Sequence, residues 1–165
     1  MRYKITFLDY WHLSSGLSGG ARFDSIVTKD ESNIPYIPGK TLKGLIREQY
    51  ENLNYPELEK LFGKEGVDEG ELYFNNAVLD KEEKDAIVSK NLQNYLYDSI
   101  ASTAIDNNGI AVDDSLREIE VVIPLILYTE IIGANSDITD AFLSVKRVGL
   151  NRNRGLGRCV VEVVK

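Results

Sequence analysis

The chain has 165 residues, with 26 acidic and 19 basic side chains and a formal net charge of −7. That length fits one domain able to bury roughly 70% of its extended surface. The single Cys159 excludes an internal disulfide framework and a thiolate zinc cluster, and the acidic total argues against a free-standing nucleic-acid binder.

The opening residues 3–11, YKITFLDYW, are rich in aromatic and β-branched types and predict a strand. They lack an apolar run flanked by a cleavage-like site, so the expected setting is a reducing cytoplasm. Residues 12–33 are polar, carry glycines at 16, 19 and 20, and form a long loop of the kind that usually has a function. IPYIPGKTLKG (34–44) then leads into a helix capped by Thr41, with Leu42, Leu45, Ile46 and Tyr50 on its buried stripe. Residues 56–62 predict a short helical turn, GKEGVDEG a flexible acidic link and 71–79 a strand. Residues 80–100 predict a helix, and Asn107-Asn108-Gly109 a hairpin turn. Residues 117–132 read as one long strand, with Pro124 at a bulge or an edge. The apolar run within it, VVIPLIL at 121–127, is too short to cross a bilayer, and no membrane partner is expected. Ser136 or Asp137 then caps a helix with Ile138, Ala141, Phe142 and Val145 inward. KRVGLNRNRGLGR (146–158) is a glycine-punctuated loop, and 158–165 a closing strand. The order of elements predicts an α+β, ferredoxin-like βαββαβ core in a single domain, with an inserted helix and hairpin.

Charge is distributed unevenly. Residues 48–90 hold 12 acidic and 5 basic side chains, whereas 40–47 hold Lys40, Lys43 and Arg47 with no acid. Residues 146–158 hold Lys146, Arg147, Arg152, Arg154 and Arg158, again with no acid. If folding brings these two windows together, an acidic chain can still present a positive groove. In the second window, Gly149, Gly155 and Gly157 permit close backbone approach, and the arginines offer guanidinium forks suited to phosphate oxygens. The alternative is a solvated basic loop beside a helix C-terminus. Neither glycine-rich stretch has Walker A or dinucleotide-binding spacing.

His12 is the sole histidine, either a general base or a hydrogen-bonded structural residue. Asp24, on the long loop, can orient a ribose hydroxyl or hold a metal-bound water, with Asp30 and Glu31 near enough in sequence to share an ion. A solvated turn residue is the plain alternative. Tyr10 and Trp11 can stack on bases or fill the core.

IPYIPGKTLKGLIRE, preceded by RFDSIVTKD and followed by GLNRNRGLGR, resembles the RAMP superfamily of CRISPR-associated proteins. It is most similar to the repeating backbone subunits of type III effector complexes. The resemblance implies an RRM-like core and head-to-tail stacking of copies along a CRISPR RNA, with target RNA and other effector subunits as further partners. It assigns the guide backbone to Lys40, Lys43, Arg47, Arg152, Arg154 and Arg158, and Lys146, Arg147, Gly155 and Gly157 of the second basic window are the remaining RNA-binding candidates. It also implies a thumb-like insertion at about 80–116, tipped by Ile105, Asp106, Ile110 and Val112. Asp24 matches the loop aspartate of relatives that cut target RNA with a divalent metal ion such as Mg2+, and His12 matches a histidine of the family's LHIG-like segment. Non-cleaving backbone subunits and metal-independent guide-processing endoribonucleases also belong to this family, so all three activities are open expectations. A protein-interaction module without RNA is the remaining reading.

Overall fold

Alternation in RYKITF drives the central strand: Tyr3, Ile5 and Phe7 turn inward and are buried, while Arg2, Lys4 and Thr6 face outward. A computed structural model describes residues 1–17, 20, 23–64 and 69–164. Arg22 of the RFDSIVTKD motif and residues 65–68 of the acidic link lie outside the described residues. In chain order the elements are β1 (Arg2–Phe7), α1 (Gly39–Asn52), α2 (Leu58–Phe62), β2 (Tyr73–Phe74) and α3 (Lys81–Ser89). They are followed by β3 (Tyr97–Ser102), β4 (Arg117–Val122), β5 (Ile126–Ile132), α4 (Ser136–Leu143) and β6 (Cys159–Val164).

The main sheet is antiparallel with strand order β2-β5-β1-β6, in the register Lys4↔Tyr128 and Lys4↔Glu162. Helices α1 and α4 pack together over its inner face. Tyr3 joins sheet to helix: its ring lies 4.9 Å from that of Phe142, and its hydroxyl pairs with Thr139 Oγ1 at 2.9 Å. Leu42, Ile46 and Tyr50 from α1 and Ile138, Ala141 and Phe142 from α4 are buried there. Each large apolar side chain removed from water contributes about 1.5–3 kcal/mol. The architecture is thus a mixed α/β core with inserted elements.

Several local expectations are corrected. Helix α1 starts at Gly39, before Thr41, and has no side-chain cap of its own; Asn76 Oδ1 reaches across to accept the Gly39 N–H at 2.8 Å. The cap of α4 is Asn135, one residue earlier than expected, whose Oδ1 accepts from Ile138 N at 3.0 Å. The predicted 80–100 helix ends at Ser89, because Asn91 adopts a positive φ of 53°. A 3-10 turn (Gln93–Leu96) and β3 then take its place. The single strand expected over 117–132 is two strands in different sheets. Pro124, without an N–H, lies in the gap between them. Over 71–79 only Tyr73–Phe74 forms a strand, with isolated bridges from Ala77 to Ile37 and from Val78 to Tyr128. Trp11 is fully buried, stacked 4.5 Å from Phe7, and is a core residue.

Strands β3 and β4 form a separate antiparallel ribbon, extended by a turn in which Ile105 pairs with Ala111. This ribbon is tied back to the core by Trp11, which exchanges backbone hydrogen bonds with Val122. Ser25 joins the same edge of β4 through a parallel bridge to Ile119, with Glu120 N donating to Ser25 O.

The glycine-rich loop folds back on the chain. Gly157 has φ +71°, and a Cβ there would collide with the carbonyl of Val148. Gly155 also has a positive φ, +97°, but a Cβ would meet nothing within 4 Å. Gly155→Ala should therefore cost only the left-handed penalty of about 1–2 kcal/mol. Gly157→Ala should lower the melting temperature clearly more, since backbone must also move; equal shifts in thermal denaturation would contradict this packing.

Candidate nucleic-acid interface

Three segments meet at residues 10–12. Leu150 N donates to His12 O, Gly157 N donates to Tyr10 O, and Gly149 packs so closely on His12 O that a Cβ would collide with it. The His12 ring is fully buried. Its Nδ1 lies 2.6 Å from Glu120 O and its Nε2 lies 3.0 Å from Ser25 Oγ. Both ring nitrogens are thus engaged within the chain, joining the Asp24 loop to the β4 ribbon, while the backbone holds the glycine-rich loop.

That closure lays the loop against α1. Arg152 Nη1 lies 3.4 Å from Glu48 Oε2, and a groove of about 400 Å³ runs between α1, the end of α4 and the loop. Leu45, Glu48, Gln49, Ser144, Lys146, Arg147, Arg152 and Asn153 line it. Among the described residues, Arg147 Nη1 is the buried side-chain nitrogen left with no hydrogen-bond acceptor. An unsatisfied buried donor costs about 1–3 kcal/mol, more if charged, so this guanidinium favours an incoming acceptor.

The predicted cations divide by partner. Arg47 pairs with Glu51 at 3.2 Å, Arg152 with Glu48, and Arg158 with Asp9 at 3.5 Å. Lys146 donates to Leu143 O at the end of α4. Lys40, Lys43, Arg147 and Arg154 have no ion pair among the described residues. Nor do all eight share one groove. At about 100° per residue, Lys40, Lys43 and Arg47 fall on one flank of the buried stripe of α1, and Leu45 and Glu48 on the other. Arg47 reaches Gly63 O, beyond α2, while Glu48 reaches the glycine-rich loop. Between the flanks, Gly44 is exposed, and an added Cβ there would meet nothing within 4 Å.

Asp24 is exposed, and its carboxylate is held by one oxygen: Glu118 N donates to Oδ2 at 2.8 Å, and Asp24 N donates back to Glu118 O at 2.9 Å. Asp30 is not available to share an ion with it. Burial alone would raise the Asp30 pKa, but Lys84 at 2.6 Å and the N–H groups of Ile34 and Ser32 outweigh that and lower it. Glu120 is likewise committed, to Lys29 at 2.7 Å and to Val27 N at 3.0 Å. Among the described residues no three His, Cys, Asp or Glu side chains cluster to hold a metal ion. The described donors therefore do not fit a protein-built divalent-cation site.

The profile of the RAMP superfamily matches residues 4–160. The chain belongs to the RAMP superfamily. Many solved chains match it in fold, two of them from Cmr-beta structures. A chain of the "Type III-B Cmr-beta bound to cognate target RNA" aligns with a TM-score of 0.73 at 14% identity, covering 98% of this chain and 95% of the other. A chain of the "Type III-B Cmr-beta" in "the Apo state" aligns with a TM-score of 0.72 at 15% identity, covering 99% and 96%. No curated protein sequence matches significantly.

In this RAMP chain, residues 80–116 carry the exposed side chains Ile105, Ile110 and Val112 at the hairpin tip. Asp106 shapes that tip by accepting from Asn108 N and Ile110 N, both at 2.8 Å. Those N–H groups hold its pKa below the usual carboxylate value. Because the folded pKa is depressed, the ordering should be present above the ordinary carboxylate range and be lost as pH falls through the lowered value. Amide exchange at Gly109 and Ile110 followed down to acid pH checks this, and Asp106→Ala should remove the dependence. The sequence reading missed the Lys29–Glu120 pair, whose residues are 91 apart in the chain. Its side chains are 22% and 10% exposed, so deleting one partner strands the other. Glu120→Ala should destabilise the fold by about 3–5 kcal/mol in chemical denaturation.

Proposed function

We propose that this protein is an RNA-holding backbone subunit of a type III-like CRISPR effector complex, with a guide-RNA phosphate seated on Arg147. The observation that carries this reading is the buried Nη1 of Arg147, which has no acceptor among the described residues and belongs to a side chain lining the groove between α1 and the glycine-rich loop. A phosphate oxygen satisfies that donor and is also drawn by Arg154 nearby in sequence, while Glu48 partly offsets Arg152. The likeness to Cmr-beta chains, one of them in a complex bound to cognate target RNA, supports the same assignment. We read the β2-β5-β1-β6 sheet with α1 and α4 as a ferredoxin-like core in a single domain, with 80–116 as its thumb-like insertion. The protein acts in the cytoplasm beside further copies of itself and other effector subunits. No helix among the described residues is long and apolar enough to cross a membrane.

Backbone contacts position a nucleic acid, and base pairing between guide and target supplies sequence discrimination. Lys40 and Lys43 lie on the far flank of α1, where they extend the phosphate track across the outer face of the helix. Gly44 leaves that face flat for close approach.

Asp24 supports a second, catalytic reading, because its carboxylate is exposed, fixed by Glu118 N, and has Oδ1 free among the described residues. The donor set argues against a metal held by this chain alone. Guide processing through His12 is disfavoured by its full burial and its two engaged ring nitrogens.

Titration of guide RNA into the purified chain, or into the complex reconstituted around it, tests the holding function. Arg147→Ala should weaken binding about tenfold or more, as loss of a charge-assisted hydrogen bond implies. It should also reduce the salt slope by about 0.7, one phosphate's share on a single strand. Unchanged affinity and slope would reject the Arg147 site. Asp24→Ala should leave binding intact; loss of target cutting at unchanged binding would establish the catalytic reading instead.

A further inference from the structure

Glu48 places an acid in the same groove as the Arg147 donor. It follows Leu45 by one helical turn on the flank of α1 that meets the glycine-rich loop, and both side chains line the groove. Its Oε2 lies 3.4 Å from Arg152 Nη1, and both side chains of the pair are nearly half exposed. Holding the loop does not call for this contact. Backbone bonds already fix the loop, from Leu150 N to His12 O, Gly157 N to Tyr10 O and Cys159 N to Lys146 O. Exposed ion pairs add little to that. A carboxylate here also repels the phosphates of an incoming strand. That repulsion is offset only if the strand donates a hydrogen bond to it.

The unused groups around Glu48 narrow the donor. A carboxylate accepts only, whereas Arg152 has five N–H donors and turns one nitrogen toward Glu48. The rest of its fork stays open to a phosphate oxygen. Glu48 Oε1 has no partner among the described residues. Asn153, on the 3-10 turn Arg152–Arg154 and on the same groove, has an amide with no hydrogen bond among the described residues. An open acceptor and an open donor thus line a space of about 400 Å³, with Leu45 as an apolar wall. The part of a nucleic acid joined directly to phosphate is its sugar. Within an RNA strand the sugar's hydroxyl is the 2′-OH, which donates and accepts together and is absent from DNA.

We propose that Glu48 selects RNA over DNA. Its Oε1 accepts the 2′-hydroxyl hydrogen of a nucleotide whose phosphate sits on Arg147, and the Asn153 amide donates to the hydroxyl oxygen. This rests on the RNA-holding reading and names a specificity residue within it. On deoxyribose the carboxylate keeps its repulsion of phosphate and gains no bond.

The test uses the full chain and one single-stranded sequence made as RNA, as DNA and as 2′-fluoro RNA, the last lacking the donor hydrogen while keeping the ribose pucker. The unsubstituted chain should bind RNA about tenfold more tightly than either analogue, the scale of one hydrogen bond to a charged group. Glu48→Ala should remove that preference, and Glu48→Gln, whose carbonyl still accepts, should keep part of it. No preference in the unsubstituted chain overturns the proposal. So does a Glu48→Ala chain whose affinities for RNA and 2′-fluoro RNA stay unchanged or shift by the same factor; equal tightening would make Glu48 a repeller of phosphate alone. The Arg147 seat is judged separately, by the salt slope of Arg147→Ala on RNA, which the ratio between strands does not measure. A chain that binds none of the three strands removes both readings.

Discussion

The buried imidazole of His12 is the joint on which the described surface depends. Its ring links the carbonyl of Glu120 to the hydroxyl of Ser25, and its backbone carbonyl receives the glycine-rich loop through Leu150. Three segments distant in sequence are therefore positioned by one residue, and only glycine fits at 149, where the loop presses on that carbonyl. The Arg147 groove and the Asp24 turn inherit their relative placement from this joint. A histidine that looks chemically active from its rarity thus acts by holding polar backbone groups that would otherwise be buried without partners.

On the proposed reading, this acidic protein holds a polyanion by arrangement rather than by excess charge. Many of its cations are already paired at the surface, where such pairs contribute little. The distinctive group is the Arg147 guanidinium nitrogen, removed from solvent and left without an acceptor among the described residues. In that setting an incoming phosphate oxygen gains a charge-assisted hydrogen bond and relieves a desolvated donor together.

The core stripes were legible because each is local. Leu42, Ile46 and Tyr50, and likewise Ile138, Ala141 and Phe142, recur at helical spacing and are buried as that spacing demands. The two basic windows were legible as charge, but the glycine-rich loop reaches α1 through Glu48, outside the first window. What failed depended on tertiary contacts. The cap of α1 comes from Asn76, far along the chain, and no N-terminal pattern could announce it. The 117–132 run kept one hydrophobic character while crossing between sheets, so only Pro124 hinted at the break. The helical wheel already separates Lys43 from Glu48, yet which flank meets the glycine-rich loop is decided by packing.

The most direct measurement is the position of RNA on the assembled protein, by cryo-electron microscopy of the guide-bound particle. The account predicts a backbone phosphate oxygen within hydrogen-bonding distance of Arg147 Nη1, about 2.7–3.2 Å. A guide strand running over another surface, with Arg147 still lacking an acceptor, would contradict it.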